Sequence, residues 1–352
     1  MKYFIFADPH WSSYSSIVRS RGEKYSTRLE NLSVTMSWIE LEAQRQNCDA
    51  IICLGDFFDK SELNSEEITA LSEIHWSPIK HYMLVGNHEM GRNDLELSSA
   101  HLFSLIPNVS VIDFPYMYNE NNDTSILFLP YILENYRRPL KDYFDTCEKL
   151  DNTIIFSHND IAGIQLGNFV STSGFSIEEI EENCNLFING HLHNGTEIGD
   201  KIINVGNITG QNFSEDAYKY QHKALILDTD DKSLIEVVNP HAMNFYKLDL
   251  TNLQPTIDDI KIQDTLTKLK HPAVVTIKIN PQIDFIVKDI LSTCDNIIEC
   301  RVITEGIAGD IAISNVDNTE SSLDHIKKFQ QYVCDTFGTS ELILNELERV
   351  SK

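Results

Sequence analysis

The sequence predicts an α/β fold of the αββα type, in which two packed β-sheets lie between outer layers of helices. Short apolar runs, such as residues 3–7 and 50–54, have the length and composition of buried strands in a parallel sheet. Segments with apolar residues at helical spacing separate these runs, so strand–helix–strand units follow one another along the chain. We expect this four-layer sandwich to end near residues 239–240.

Helices and strands are expected to alternate along the first half of the chain. Helical spacing predicts helices over residues 27–47, over 61–77 with a cap-like start at Asn64, and over 94–106. Residues 107–129 are typical of an antiparallel hairpin region, and residues 133–150 of a loop and a helix. The apolar runs at 201–205 and 224–228 are expected to be the last strands of the second sheet.

A chain of 352 residues is longer than one typical domain, which predicts a main body with smaller appended parts. We expect a catalytic domain over residues 1–245 and a small α+β domain over 246–320, where two β-rich runs flank a helix. Residues 321–352 are predicted to form C-terminal helices. Their apolar stripe either packs on its own domain or binds a partner protein, and it consists of Leu323, Ile326, Phe329, Tyr332 and Val333.

Composition limits the class of protein. An apolar content of 42% with 23% charged residues is typical of a globular protein and excludes wholesale disorder. No apolar segment reaches the roughly 20 residues of a membrane helix, and no secretory signal is recognisable, so we expect a soluble protein without a membrane partner. The seven cysteines contain no Cys-x-x-Cys pair, which favours free thiols in a cytoplasm.

The formal net charge of −25 argues against DNA binding by this chain alone, since DNA-binding surfaces are ordinarily basic. A metal centre that neutralises carboxylates, a basic partner subunit, or a requirement for solubility would each account for the excess. Two basic clusters are candidates for phosphate contact, and the first is equally compatible with a solvated loop. One is Arg19, Arg21 and Lys24, near Arg28, and the other is Arg137, Arg138 and Lys141.

Residues of the types that bind metals follow five of the predicted strands. The carboxyl ends of parallel strands meet at one edge of a sheet, so these residues are expected to converge. A single histidine at a strand end is ordinarily structural, but five such ends in order predict a metal site. His nitrogens with carboxylate and amide oxygens suit manganese, iron or zinc better than magnesium. The residues are Asp8, His10, Asp56, Asp59, Asn87, His88, His158, His191 and His193.

The blocks Asp-x-His, Gly-Asp-x-x-Asp, Gly-Asn-His-Glu, a separate His and Gly-His-x-His resemble those of the calcineurin-like metallophosphoesterase superfamily. They occur in order from Asp8 to His193. Within the superfamily, the region 207–213, the α+β appendage and the amphipathic C-terminus resemble the nuclease subunit of SbcCD-type recombination complexes, especially the phage-encoded form. Glu89 departs from the pattern, because an Asp is more usual after the catalytic histidine.

The resemblance implies a site with two divalent metal ions, most simply Mn²⁺. It makes His88 the catalytic histidine and Asp59 the residue that orients it. Asp56 would bridge the two ions. The remaining ligands would be Asp8, His10 and His193 for one ion and Asn87, His158 and His191 for the other.

The function implied is that of a manganese-dependent DNA exonuclease and endonuclease in recombination, repair or replication. The nuclease would act as a homodimer with an SMC-like coiled-coil ATPase, in a bacterial or phage-infected cytoplasm. The appendage would be a capping domain, and the C-terminal stripe would bind the ATPase. Two alternatives are a phosphoesterase for small nucleotides or phosphoproteins and a largely non-catalytic scaffold of a recombination complex. The complete ligand set argues against the scaffold.

Overall fold

The structure is a computed structural model that describes residues 1–14, 22–144, 149–166, 169–255, 257–304 and 311–313. The described residues fall in one compact unit, Met1–Ser314. None of the described helices combines the length and apolar character needed to cross a membrane. The predicted C-terminal helices over 321–352 lie outside the described residues. The α-helices are α1 (Thr27–Arg45), α2 (Ser65–Ser72), α3 (Ile177–Asn183), α4 (Asp259–Thr267) and α5 (Asp284–Leu291).

The strands are numbered along the chain. They are β1 (Lys2–Phe6), β2 (Ala50–Cys53), β3 (Lys80–Leu84), β4 (Met90–Gly91), β5 (Asp94–Ser98), β6 (Val109–Ile112), β7 (Tyr116–Asn119), β8 (Thr124–Leu129), β9 (Asn152–Ser157), β10 (Ile161–Ala162), β11 (Gln165–Leu166), β12 (Phe169–Val170), β13 (Phe175–Ser176), β14 (Leu186–Asn189), β15 (Thr196–Ile198), β16 (Ile202–Asn204), β17 (Lys223–Asp228), β18 (Ser233–Val238), β19 (Asn244–Asp249), β20 (Ala273–Ile279), β21 (Ile297–Thr304) and β22 (Ile311–Ile313).

Two six-stranded sheets form the main body. The first has the order β18-β17-β1-β2-β3-β6, and the second has the order β15-β16-β14-β9-β8-β7. Strands β1, β2, β3 and β6 are parallel, as are β8, β9, β14 and β16. The parallel centre of each sheet therefore sends its carboxyl ends to one edge. The predicted αββα arrangement is confirmed.

Alternation along each strand assigns side chains to the layers. In β1, Tyr3 and Ile5 point between the two sheets, where they pack with Phe128 and Phe156. Phe4 belongs to the opposite face, which packs under α1. Successive strand residues face opposite sides of a sheet, so one strand contributes to two cores. Burying each large apolar side chain stabilises the fold by roughly 1.5–3 kcal/mol.

Local sequence explains where the first two helices begin. The side chain of Ser26 accepts a hydrogen bond from the N–H of Leu29 at the start of α1. At the start of α2, Asn64 and Glu67 form a reciprocal capping box. Each cap satisfies N–H groups that have no partner within the helix. The predicted helices at 27–47 and 61–77 are both present, and the second ends earlier, at Ser72.

Four predicted elements are wrong in whole or in part. Residues 94–106 are not one helix, because β5 pairs with β4 in a hairpin and a 3₁₀ helix, Ser99–Leu105, follows it. In residues 107–129, β7 and β8 form the expected antiparallel hairpin, but β6 pairs parallel with β3 in the first sheet. Among the described residues of 133–150, the helices are the short 3₁₀ helices Glu134–Tyr136 and Leu140–Tyr143. The run at 224–228 is strand β17, which belongs to the first sheet, where it pairs antiparallel with β1.

Strands β19 to β22 form a separate four-stranded sheet, here called the cap sheet. Helices α4 and α5 cover one face of it, and Ile262 and Val287 are fully buried in a core of its own. Strand β19 crosses the predicted boundary at 245/246 and pairs only with β20. Backbone hydrogen bonds from Gly210 to Met243 and from Ala217 to Phe245 connect the cap sheet to the segment that follows the second sheet.

Candidate metal centre

The carboxyl ends of β1, β2 and β3 in one sheet and of β9 and β14 in the other converge at one edge of the sandwich. The loops after these strands bring the seven predicted metal ligands together. Four of these ligands have left-handed backbone conformations, which are strained for residues other than glycine and cluster at functional sites. These are Asp8 (φ 52°), His10 (φ 49°), Asp56 (φ 48°) and His191 (φ 73°).

One group of ligands consists of Asp8, His10 and His193, whose donor atoms lie within 4.8 Å of one another. The Nε2 atoms of His10 and His193 are 3.2 Å apart. Both carboxylate oxygens of Asp8 accept a hydrogen bond from the backbone N–H of His191, each at 3.1 Å. The loop after β14 is thus fixed against the loop after β1.

A second group consists of Asp56, His158 and His191, with donor atoms also within 4.8 Å of one another. Asn87 completes it, since its Oδ1 lies 3.3 Å from His158 Nε2 and 3.0 Å from His191 Nδ1. Asp56 also forms a cluster with His10, so it lies between the two groups. Only glycine fits at position 86, because a Cβ there would come within 2.1 Å of Asp56 Oδ1.

The contacts of His158 suit a metal ion at this site. Its Nδ1 lies 2.9 Å from the carbonyl oxygen of Leu54, which can only accept a hydrogen bond, so Nδ1 carries the hydrogen. In the neutral ring, Nε2 then presents a lone pair to Asp56 Oδ2 at 3.1 Å and to Asn87 Oδ1 at 3.3 Å. Either a proton on Nε2 or a metal ion among these three atoms offsets their mutual repulsion, and a nitrogen, a carboxylate oxygen and an amide oxygen are all metal-ligand atoms. The donor set therefore fits a divalent metal.

Electrostatics at the other group agree with this conclusion. Burial, together with the negative charge of Asp56, raises the pKa of Asp8 to about 7. Burial and the neighbouring His10 lower the pKa of His193 to about 3, which keeps its imidazole in the neutral, metal-binding form. Burial alone would raise the pKa of Asp56, but nearby imidazoles, above all His158, hold it well below its ordinary value.

Outer hydrogen bonds orient three of the histidine ligands. Leu54 holds His158, as described above. Asp59 Oδ1 lies 3.2 Å from His10 Nδ1, and Asp160 Oδ1 lies 3.1 Å from His191 Nε2. Carboxylates in such positions fix the ring orientation and make the ligand nitrogen more basic. Asp160 was not predicted as a site residue; its position two residues after His158 was the only signal in the sequence.

His88 stands beside the first group with a partly exposed side chain. Its backbone N–H donates to Asp56 Oδ1 at 2.9 Å, which fixes the start of the loop. Its Nδ1 lies 3.3 Å from the carbonyl oxygen of Asp59 and 3.7 Å from Asp59 Oδ1. Asp59 was predicted to orient His88, and its carboxylate lies closer to His10 than to His88.

Arg28 is a buried cation next to the loop that carries Asp8 and His10. From the sequence it was grouped only with the basic residues of a loop. Its guanidinium donates to the carbonyl oxygen of Pro9 at 2.8 Å and to that of Gly210 at 2.7 Å. Burial lowers its pKa to about 10, which leaves it charged at neutral pH. Gln211 adds a hydrogen bond to the carbonyl oxygen of Asp8 at 2.6 Å. These two residues join the loop after β1 to the segment that leads to the cap sheet.

The described residues of the two predicted phosphate-contact clusters lie outside the centre. Lys24 pairs with Glu73, and Arg137 pairs with Glu134. Arg138 lies over the ring of Tyr143, at 4.8 Å from its centroid, and Lys141 is exposed. The remaining predicted contacts lie outside the described residues: Arg19, Arg21, Leu323, Ile326, Phe329, Tyr332 and Val333.

Two cavities open at the centre, and His193 lines both of them. A cavity of 270 Å³ is also lined by His10, Asp59, His88 and Arg28. A second cavity, of 720 Å³, has His191 and residues 163–165 and 194–198 in its walls.

Comparison with known proteins agrees with the geometry. The model of the calcineurin-like phosphoesterase family matches residues 1–195. A dimetal phosphatase from Danio rerio is similar with a TM-score of 0.38 at 11% identity, over 68% of this chain and 99% of that one. The calcineurin-like phosphoesterase YfkN from Bacillus subtilis is similar with a TM-score of 0.35 at 11% identity, over 68% of this chain and 88% of its own. Comparison with curated proteins found no match.

Proposed function

The chain belongs to the calcineurin-like phosphoesterase family, and we propose that its metal site cleaves phosphodiester bonds in DNA. The observation that carries this proposal is that two cavities with largely different walls both reach His193. A polymer needs room on both sides of the bond that is cut. The residues that line the two cavities all lie between positions 10 and 212, so no described residue of the cap sheet closes either cavity as a lid.

The site residues divide the chemical work. Asp8, His10 and His193 would hold one ion, and Asn87, His158 and His191 the other, with Asp56 between them. Two divalent ions held there would activate a water molecule and stabilise negative charge on the phosphate. Since Nδ1 of His88 lies against the carbonyl oxygen of Asp59, Nε2 is the ring nitrogen left to face the leaving oxygen, and the doubly protonated ring would give it a proton from Nε2. We propose manganese, which accepts mixed nitrogen and oxygen ligands.

Nuclease activity is the direct test. Purified protein with manganese would be assayed on linear duplex, hairpin and single-stranded DNA, with His88→Ala as the inactive control. Bis(p-nitrophenyl) phosphate would report whether the centre is functional. We expect cleavage of DNA that EDTA abolishes. Hydrolysis of bis(p-nitrophenyl) phosphate without cleavage of any DNA would overturn the nuclease and favour a small nucleotide or phosphoprotein substrate.

An SMC-type ATPase is the proposed partner. The net charge of −25 is poorly suited to DNA, and a basic partner subunit would compensate for it. The apolar stripe from Leu323 to Val333 is the proposed docking segment, in the manner of a helix that binds a groove. Truncation after Glu320 should leave a stable, metal-binding enzyme that no longer co-purifies with the co-expressed ATPase. Retained co-purification would contradict the docking role. The homodimer stays a prediction, which light scattering would test.

A further inference from the structure

The two cavities at the metal centre share His193, and among the residues that line only one of them His88 gives the site a direction. His88 lines the cavity of 270 Å³ and does not line the cavity of 720 Å³. A general acid must lie within hydrogen-bond reach of the oxygen that it protonates. If His88 protonates the leaving oxygen, as the proposed function has it, the leaving group lies in the smaller cavity and the rest of the strand in the larger one.

We infer that the 270 Å³ cavity is the subsite for the leaving nucleoside and that the ring of Tyr14 stacks on its base. The inference rests on the proposed nuclease function. In the step concerned, a water oxygen forms a bond to phosphorus and loses a proton to solvent. The bond from phosphorus to the nucleoside oxygen breaks, and that oxygen takes a proton from His88.

Tyr14 is the tyrosine among the residues that line this cavity. The residue is 67% exposed, so its ring is accessible to a ligand. Exposed tyrosine is suited to stacking, since any of the bases offers a flat face to the ring.

The segment that carries Tyr14 is anchored to the body. The Trp11 indole, fully buried, donates to the carbonyl oxygen of Glu67 at 3.1 Å. The Glu67 carboxylate accepts hydrogen bonds from Ser12 Oγ at 3.3 Å and from the Ser13 N–H at 2.9 Å. An aromatic ring on a fixed backbone loses little entropy when it binds a base, which favours stacking.

The remaining walls of the cavity suit a sugar and a phosphate. Arg28 lines it, and only two of the five N–H donors of its guanidinium are needed for the hydrogen bonds to Pro9 and Gly210. Asn212 also lines it and offers an amide. The one carboxylate in the wall, Asp59, is engaged with His10.

A base can stack on a protein ring only when it is unpaired and no longer stacked within the DNA duplex. The inferred subsite therefore selects an unpaired nucleoside next to the bond that is cut, as in a single strand or a frayed end. Since stacking reads no hydrogen-bond pattern, the four bases should be accepted with modest differences.

A substrate with one cleavable bond tests the subsite. A short single-stranded oligonucleotide would carry one phosphodiester among methylphosphonate linkages, and product analysis would identify which nucleoside leaves. Two further versions would lack the base of the leaving nucleoside or the base on the other side. Wild type, Tyr14→Ala and Tyr14→Phe would be compared by kcat/KM, with Phe285→Ala as an exposed aromatic control that lines neither cavity.

The expected result is a coupling between Tyr14 and one base only. Tyr14→Ala should lower kcat/KM on the intact strand by about 5- to 150-fold, the equivalent of one stacked base. Removing the leaving base should abolish this difference, and removing the other base should preserve it. Tyr14→Phe, which keeps the ring, should resemble wild type.

Two outcomes would overturn the inferred subsite and leave the proposed nuclease function intact. In one, Tyr14→Ala slows the intact strand and the strand without the leaving base equally. In the other, its effect disappears only when the opposite base is removed. If wild-type enzyme hydrolyses bis(p-nitrophenyl) phosphate but cleaves no oligonucleotide, the nuclease proposal fails, and the subsite fails with it.

Discussion

Glu89 Oε2 accepts a hydrogen bond from the backbone N–H of Phe58 at 2.9 Å, which ties the loop after β3 to the loop after β2. The other oxygen, Oε1, accepts a hydrogen bond from the N–H of Gly86, also at 2.9 Å. Glu89 is fully buried. One side chain thus holds the two loops that carry Asp56 and Asn87, although it is not itself a ligand.

Glu89→Gln should destabilise the protein, because an amide offers one acceptor oxygen where two buried N–H groups need one each. A buried N–H left without a partner costs about 1–3 kcal/mol in the free energy of unfolding. Urea denaturation measures this loss. Glu96→Gln, at an exposed position of β5, is the matched control and should unfold like wild type. Equal stability of the two variants would show that Glu89 does not hold the loops.

His88→Gln should retain both metal ions and lose most turnover. The side chain stands beside the ligands and supplies a proton or hydrogen bond, an effect worth about 10²- to 10⁴-fold in rate. Metal analysis of the purified variant, together with a DNA-cleavage assay, separates the two properties, since the alkoxide that leaves from DNA needs the proton. A variant that loses a metal ion, or one that turns over at the wild-type rate, would contradict this role.

Asp56→Asn should weaken metal binding more than Asp8→Asn does. Asp56 belongs to clusters on both sides of the centre, whereas Asp8 belongs to one. Loss of the shared charge therefore affects both ions, and loss of Asp8 affects one. Both variants should be nearly inactive, so calorimetric titration with manganese is the informative measurement. Equal losses of affinity would refute the bridging assignment of Asp56.

His222→Gln should change how stability depends on pH. Burial lowers the pKa of His222 to about 4, from 6.5. Between these values the unfolded chain binds a proton that the folded protein does not, so acid destabilises the wild type through this residue. As pH falls from 6.5 to 4, the variant should gain roughly 1–3 kcal/mol relative to wild type.

Urea denaturation at several pH values, with both proteins at the same metal concentration, measures the pH effect. His75→Gln is the control, since His75 is exposed. The groups that face His222 include Glu215, whose Oε2 is 3.4 Å from His222 Nε2, the carbonyl oxygen of Asn207 and the ring of Tyr220. The positive charge of Arg28 adds to the effect of burial in lowering the pKa of His222. Burial raises the pKa of Glu215 to about 7, and this contribution is present in both proteins. A difference in stability that does not vary with pH would disprove the assignment.

Features encoded in neighbouring residues were predictable from the sequence. The apolar runs that become β1, β2 and β9 each end at residues of metal-binding type, and the order of parallel strands sends those ends to one edge. The start of α2 was predictable from Asn64 and Glu67, because a helix cap involves residues only three positions apart.

Pairings between distant residues were decided only by the tertiary structure. The run at 224–228 has the pattern of a strand. Its pairing with β1 depends on which strand of the two sheets has a side without another partner, and the local sequence does not give this. Asp160 and Asp59 orient His191 and His10 through side chains brought together by the fold. Arg28 meets Gly210 across 182 positions of the chain. Periodicity and capping describe which conformation a segment adopts, whereas such contacts depend on how the segments pack, which no local pattern records.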